Sequence, residues 1–449
     1  MKTLAGVLAC ICIVCCAAGA AEPAADHDGD WPQWRGPHAN GVAPGADPPV
    51  EWGEGKNIKW KVEIPGQGHA SPIVLGDRVF ILTAIETDKP GKPRQPEGEQ
   101  TTGRRGPPTT LPSKVLRFAL LAIDRADGKT LWQRTLREEL PHEGIHTTGS
   151  WAPNSPVTDG EHVYAYFGSR GLYCLDMEGN LEWEKDLGDM STRRGFGEGS
   201  SPVLHEDRLI INWDHEGASF LIALDKKTGK TLWKVDRDEP TSWSTPLVVE
   251  SGGSPQVVVS ATNRVRSHDP RTGKLIWECG GMTLNVIPTP VAAHGMVYVM
   301  SGFRGNALRA IRLSAAKGDI TDSDAVAWKY DTDTPYTPSP LLYDDMLCFL
   351  KGNTAVLTCL NPKTGEEHFS RQRLDGVETV YASLVGARDH FYIVGRNGTA
   401  VVAKHSPEFE ALAENTLDDG FSASPAIVGD EIYLRGHKNL YCIAEKEKK

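Results

Sequence analysis

The chain has 449 residues, with 48 Lys and Arg against 59 Asp and Glu, a formal charge of −11 and 39% hydrophobic residues. It carries no basic stripe, Arg104-Arg105 and Arg193-Arg194 being isolated pairs, which argues against nucleic acid as a partner. Nine cysteines are too sparse in so long a chain for a disulfide scaffold.

Residues 1–20 have the parts of a secretory signal peptide. Lys2 precedes an apolar run from Leu4 to Val14, and Ala18-Gly19-Ala20 offers a small-residue cleavage site. The run is shorter than the roughly 20 apolar residues that span a bilayer. The alternative is a lipid anchor, because Val7-Leu8-Ala9-Cys10 loosely matches a lipid-attachment motif. Either way the chain is expected to be exported and soluble: periplasmic, secreted or associated with the outer membrane. Cleavage near Ala20 removes Cys10, Cys12, Cys15 and Cys16 and leaves five cysteines. Residues 21–56 are rich in Pro, Gly and Asp and predict an irregular arm, with Trp31 and Trp34 as anchors.

From residue 57 a repeat takes over. Its opening phrase is Ser/Thr-Pro, an apolar run, a Gly-Asp-type turn and a second apolar run. It occurs as SPIVLGDRVFIL (71–82), SPVTDGEHVYAY (155–166), SPVLHEDRLIIN (201–212) and TPLVVESGGSPQVVV (245–259). It returns as TPVAAHGMVYVM (289–300), SPLLYDDMLCFL (339–350), SLVGARDHFYIV (383–394) and SPAIVGDEIYLR (424–435). A third run such as LIALD (221–225) follows, then a turn such as KTGK (227–230), then a strand centred on tryptophan. Four short strands per unit, at a period of roughly 40–45 residues, predict an all-β, eight-bladed β-propeller of four-stranded antiparallel blades over 57–445. The eighth unit ends near Glu445 without a tryptophan strand, whereas NIKWKVEI (57–64) is a spare one. The N-terminal strand is therefore expected to complete the last blade and close the ring.

Within the repeat, Ser or Thr is small where the innermost strands crowd the axis, and the turn glycine supplies a positive φ. Trp60, Trp132, Trp183, Trp233, Trp277 and Trp328 are expected between neighbouring blades, with Phe369 and Leu412 as weaker substitutes. Cys174, Cys359 and Cys442 share one context and predict one buried strand position, while Cys348 and Cys359 lie within reach across a hairpin without requiring a bond. Residues 85–114 stretch the first unit and read as a mobile surface loop.

The phrase ALDKKTGKTLW (223–233) resembles the pyrroloquinoline quinone (PQQ) repeat. That repeat builds the propellers of quinoprotein alcohol dehydrogenases and of the cofactor-free BamB-like lipoproteins of outer-membrane assembly. WPQWRGPHANGV (31–42) and FGEGSSPVLHEDRLIINWDHEG (196–217) resemble exported PQQ-like propellers of planctomycete-type bacteria. The resemblance implies the fold and leaves the activity open between two classes.

As a dehydrogenase, the chain would need PQQ, a calcium ion held by oxygen ligands and a carboxylate base. Glu198, Asn212 and Asp214 are the calcium candidates, and Trp243 is a stacking floor. The adjacent-cysteine disulfide typical of those dehydrogenases is missing, because Cys15-Cys16 is lost with the signal peptide. As a binding module, the chain needs only the mouth of the ring. The loops before the Ser/Thr-Pro strands bring His69, Trp151, Asn154, Glu198, Trp243, Asn285, Tyr336 and Tyr381 toward it, where they form a ligand site or merely fill and hydrate the channel. The reading adopted is a monomeric, non-catalytic binding or assembly scaffold of the cell envelope, without a cofactor. Its partner is an envelope protein or a small ligand at the mouth. The alternative is a periplasmic PQQ- and calcium-dependent alcohol or sugar dehydrogenase.

Overall fold

A computed structural model describes residues 29–92 and 109–445. The signal peptide, the Cys10 motif, the Ala20 cleavage site and the centre of the 85–114 insert lie outside them. Among the described residues, no helix is long and apolar enough to cross a membrane.

Each repeat unit folds as an antiparallel meander. Blade 3 shows the pattern, with Val203–His205, Arg208–Trp213, Ser219–Asp225 and Thr231–Arg237 paired in that order. The middle strands are apolar on both faces because a blade on either side covers them, so their burial is nearly continuous. The outermost strand instead alternates toward solvent. Eight such sheets form the propeller. Blades 4 and 7 each gain a short fifth, parallel strand, Gly318–Asp319 beside Leu275–Cys279 and Val42–Ala43 beside Val385–Ala387. In blade 1 the paired strands Arg78–Pro90 and Lys114–Asp124 run into both ends of the insert, which there are strand rather than loop.

The ring closes between the chain ends. Ile58–Glu63 lies antiparallel on Asn439–Ile443, with Trp60 opposite Cys442 and Lys61 opposite Tyr441. The opening strand is thus the outermost strand of blade 8, whose other strands are Ala426–Val428, Glu431–Arg435 and Asn439–Ile443.

Two interblade devices recur. In the first, a tryptophan of one blade stacks on the turn glycine of the next. A Cβ added to Gly128, Gly179, Gly229, Gly273 or Gly365 would fall within 3.0 Å of Trp60, Trp132, Trp183, Trp233 or Trp328 respectively. The indole N–H of each donates to a carbonyl in the same turn, such as Trp60 Nε1 to Arg125 O at 2.9 Å and Trp233 Nε1 to Pro270 O at 2.9 Å. The glycine therefore serves a close approach as well as a positive φ. Trp277 departs from the rule. The following blade has no TGK turn, and this indole donates instead to Gln256 Oε1 of its own blade.

Opposite these side chains stand small residues. Cys442 faces Trp60, Cys174 faces Trp183, Cys359 faces Phe369, and Ala122 and Ala223 face Trp132 and Trp233. The cysteines are small partners of a large ring. In blade 7 the strand residue at the tryptophan position is Ala413, opposite Val402, and the expected Leu412 is exposed. A slip of one residue along a strand sends the side chain to the other face.

The second device is a ring of hydroxyls around the axis. The backbone N–H of Ser71 donates to Ser155 Oγ at 3.0 Å, that of Ser155 to Ser201 Oγ at 3.0 Å, and that of Ser201 to Thr245 Oγ1 at 3.0 Å. It continues from Thr289 to Ser339, Ser339 to Ser383, Ser383 to Ser424 and Ser424 back to Ser71, at 3.0, 2.9, 2.8 and 2.9 Å. Only the step from Thr245 to Thr289 is missing, and Thr289 Oγ1 is left without a partner. These serines and threonines were expected to be small; they are also the donors and acceptors that hold the innermost strands in a circle.

Cys348 and Cys359 are directly opposed on adjacent strands of blade 6 and form a disulfide closing an 11-residue separation. Cys174, Cys279 and Cys442 are free and buried. A loop of this length stabilises by about 2–3 kcal/mol in the chain-entropy account. Reduction, or the double change Cys348→Ser and Cys359→Ser, should lower the melting temperature, and identical melting with and without reductant would contradict this.

The described part of the arm crosses the end of the ring away from the mouth loops. Trp31 exchanges two backbone hydrogen bonds with Val74 of blade 1, and Pro32 accepts from Thr158 of blade 2. Arg35 then donates to Pro340 O of blade 6 at 2.7 Å, Gly41 accepts from Gly386 of blade 7, and Asp47 donates to Gly429 of blade 8. This path delivers Trp34 to the central cavity.

Candidate functional site

The loops preceding the Ser/Thr-Pro strands surround an open cavity of about 280 Å³. Its wall includes seven members of the hydroxyl ring, all but Thr289, and above them stand His146, Phe196, Trp243, Tyr336 and Tyr381. Of the eight residues expected at the mouth, His69, Glu198, Trp243, Tyr336 and Tyr381 line it. Trp151, Asn154 and Asn285 do not. Trp151 packs against the apolar layer between blades 1 and 2. Asn154 is buried and donates to Ser200 O at 2.6 Å, tying blade 2 to blade 3. Asn285 is buried with φ 55°, and its Oδ1 has no hydrogen-bond partner.

The aromatic walls are held from behind. Trp243 donates its indole N–H to Gly197 O at 2.7 Å, and its ring approaches Gly199 so closely that a Cβ there would meet it at 2.9 Å. Tyr336 stacks on Phe303 with centroids 4.8 Å apart, and burial raises its phenol pKa. Tyr381 meets Thr148 Oγ1 at 3.0 Å and carries the Arg396 guanidinium over its ring at 4.5 Å. Rigid aromatic faces around a polar floor suit a ligand or peptide that brings apolar surface and a few hydrogen-bonding groups.

Glu198 is fully engaged. Its carboxylate accepts from Ser169 N at 2.7 Å, Ser169 Oγ at 2.6 Å and Arg170 Nη1 at 2.7 Å. The turn that cradles it needs Gly168, because a Cβ there would lie 1.4 Å from Glu198 Oε2. Asp214 is likewise paired, accepting from Arg237 Nε at 2.7 Å, Arg237 Nη2 at 3.1 Å and Ser242 Oγ at 2.7 Å. Asn212 donates weakly to Ser242 Oγ and Ser244 O. Glu198, Asn212 and Asp214 do border one void, but it measures about 10 Å³, close to the volume of one water. Calcium asks for six to eight oxygen ligands. Here the carboxylates already face Arg170 and Arg237, and those cations would flank the metal. The residues present do not fit a calcium-bound quinone.

Sequence reasoning missed Trp34, His146, Phe196 and Arg396. The first comes from the arm, His146 and Phe196 from the segments between blades and Arg396 from the tip of a hairpin, places where repeat position does not define direction. His142 Nε2 bonds to Met190 O and His146 Nδ1 to Thr148 Oγ1.

His69 has its pKa lowered to about 3, first by burial and then by His437, Arg396 and Arg435. Its folded value lies below the ordinary 6.5, so the stability tied to its neutral form is complete above pH 6.5 and is lost as the pH falls toward 3. His437 is depressed in the same direction, again mainly by burial. Melting temperature should therefore decline on acidification below pH 6.5, and His69→Gln should flatten that decline. An unchanged slope in the variant would contradict the assignment.

A family profile described as outer membrane protein assembly factor BamB matches residues 117–280 and 221–449. The outer membrane protein assembly factor BamB of Yersinia pestis is 27% identical over 203 residues, covering 41% of this chain and 47% of that protein. The chain thus matches about half the length of this curated relative. The crystal structure of BamB from Moraxella catarrhalis superposes with a TM-score of 0.55 at 12% identity, over 86% of this chain and 99% of that one. A europium-containing methanol dehydrogenase gives 0.60 at 10% identity, over 92% and 91%. At these identities the two structures speak for the fold, whereas the profile covers most of the chain. The chain belongs to the BamB-type family of PQQ-repeat β-propellers.

Proposed function

We propose that this propeller is an exported, non-catalytic binding or assembly scaffold of the cell envelope, which receives a partner or small ligand at the aromatic mouth. The observation that carries the reading is the state of the carboxylates. Glu198 and Asp214, the groups a dehydrogenase would use as base and metal ligands, are each held in short hydrogen bonds to a buried arginine. What the mouth presents instead is Trp243, Tyr336 and Tyr381 over a floor of hydroxyls, a surface made to bind. Membership of the BamB-type family supports the same reading, and the chain's signal-peptide pattern supports a periplasmic or secreted location.

Purified protein should show no change in absorbance or melting when titrated with PQQ and calcium. Micromolar binding followed by dye reduction with alcohols or sugars would overturn the proposal. In pull-downs from envelope extracts, an envelope protein retained by the wild type should be lost with a folded Trp243→Ala variant.

A further inference from the structure

Two arginines beside the cavity have no carboxylate partner among the described residues. Arg435 ends the strand Glu431–Arg435 and is 1% exposed, yet its Nε, Nη1 and Nη2 have no hydrogen-bond partner. The repeat shows what this position needs for folding. Pro425 leads to Arg435 over the same spacing that joins Pro72 to Leu82, Pro290 to Met300 and Pro340 to Leu350. An apolar side chain serves there in other blades, so the guanidinium is not required by packing. Leaving a buried cation unpaired costs several kcal/mol. Burial lowers the Arg435 pKa only to about 10, so it stays charged at neutral pH. Asp419, whose charge reaches it, is occupied by the backbone amides of Gly420, Lys438 and Asn439 at 2.8, 3.2 and 3.0 Å.

Arg396 belongs to the same cluster. It lies over Tyr381 and donates from Nε to Ser422 Oγ at 3.1 Å. Ser422 Oγ is 3.1 Å from His437 Nε2, and the His437 ring stacks on His69 at 5.5 Å. Arg435 stands one residue before Gly436, which bridges Phe421 next to Ser422, and two before His437, so its strand end lies beside this pair of rings. Ser422, His69 and Tyr381 form part of the cavity wall.

We propose that this sector, where blades 7, 8 and 1 meet, binds a carboxylate of the ligand, with Arg396 and Arg435 supplying the charge and Ser422, His69 and His437 the surrounding hydrogen bonds. Guanidinium matches the planar carboxylate in shape as well as charge. The inference deepens the binding reading of the mouth and rests on it. The carboxylate belongs either to an acidic side chain of a partner segment or to a free carboxylic acid.

The test is thermal melting of the full chain in succinate or a Glu-containing hexapeptide, each against sodium chloride of equal ionic strength. Either ligand at saturation should raise the melting temperature of the wild type by about 2 °C or more. Arg435→Leu and Arg396→Gln should abolish the rise, and Arg435→Leu should melt no lower than the wild type without ligand. At least tenfold tighter binding of the peptide identifies a partner side chain, and equal or tighter binding of succinate a free acid. Should Arg435→Leu fail to fold, Arg396→Gln decides alone. No rise in the wild type, a rise that survives both substitutions, or a Gln-containing peptide acting as well as its Glu counterpart would overturn the site. A wild type that captures an envelope partner through Trp243 but ignores every carboxylate would overturn this inference alone. PQQ-dependent dye reduction would overturn the scaffold reading and leave the melting result standing.

Discussion

Replacing Trp60 with alanine is expected to cost about 3–5 kcal/mol, the usual range for truncating a buried tryptophan, and to lower the melting temperature of the whole ring. The indole is 8% exposed, lies over Gly128 of blade 1, donates to Arg125 O and packs against Tyr433 with centroids 5.9 Å apart. Local contacts of the same kind hold Trp132 against Gly179 and Met177 O. The difference lies in how the strands are attached. Thr130–Glu139 is tied covalently through a tight turn to its neighbour Lys114–Asp124, so Trp132→Ala leaves a weakened hairpin. Ile58–Glu63 pairs only with Asn439–Ile443, at the other end of the chain. Loosening it frees an unpaired edge on blade 8 and opens the seam at which the two ends of the chain meet. Urea or thermal unfolding of the two variants side by side should show the larger loss at Trp60. Equal losses would mean that the closure adds nothing beyond one packed indole.

The ring and its seam were legible because the repeat states them at many positions at once. Ser/Thr-Pro openings, turn glycines and tryptophans recur at fixed offsets, so a missing tryptophan strand at one end and a spare one at the other define the closure. Directions within irregular segments carry no such redundancy. Asn154 and Trp243 both sit just before a Ser/Thr-Pro strand, yet one ties two blades together and the other faces the cavity. The hydroxyl ring had a visible signal, since all eight openings use Ser or Thr and never alanine, and small size alone does not explain that choice. The engagement of the carboxylates had none. Arg170 and Arg237 lie 28 and 23 residues from Glu198 and Asp214, at places that other units fill differently. Carboxylates in a funnel look like metal ligands until their counter-ions are located.

Asp214→Asn is the second change with a large expected effect, about 3–5 kcal/mol. Both Asp214 and Arg237 have fully buried side chains. Burial pulls the Arg237 pKa down, but the charge and hydrogen bonds of Asp214 more than offset it, and the net shift is upward. Removing the negative partner leaves a buried guanidinium without its counter-charge, since Glu239 is itself engaged by Asn263, Arg264 and Arg266. Removing both charges, as Asp214→Asn with Arg237→Met, should recover much of the loss, because the penalty belongs to the unpaired ion rather than to the missing bond. The same series separates the two readings of this region. If Asp214 is an ion-pair partner, calcium shifts the melting of neither wild type nor variant, and the double change is milder than the single. If it were a calcium ligand, calcium would stabilise the wild type, Asp214→Asn would lose that effect, and removing Arg237 as well would restore nothing.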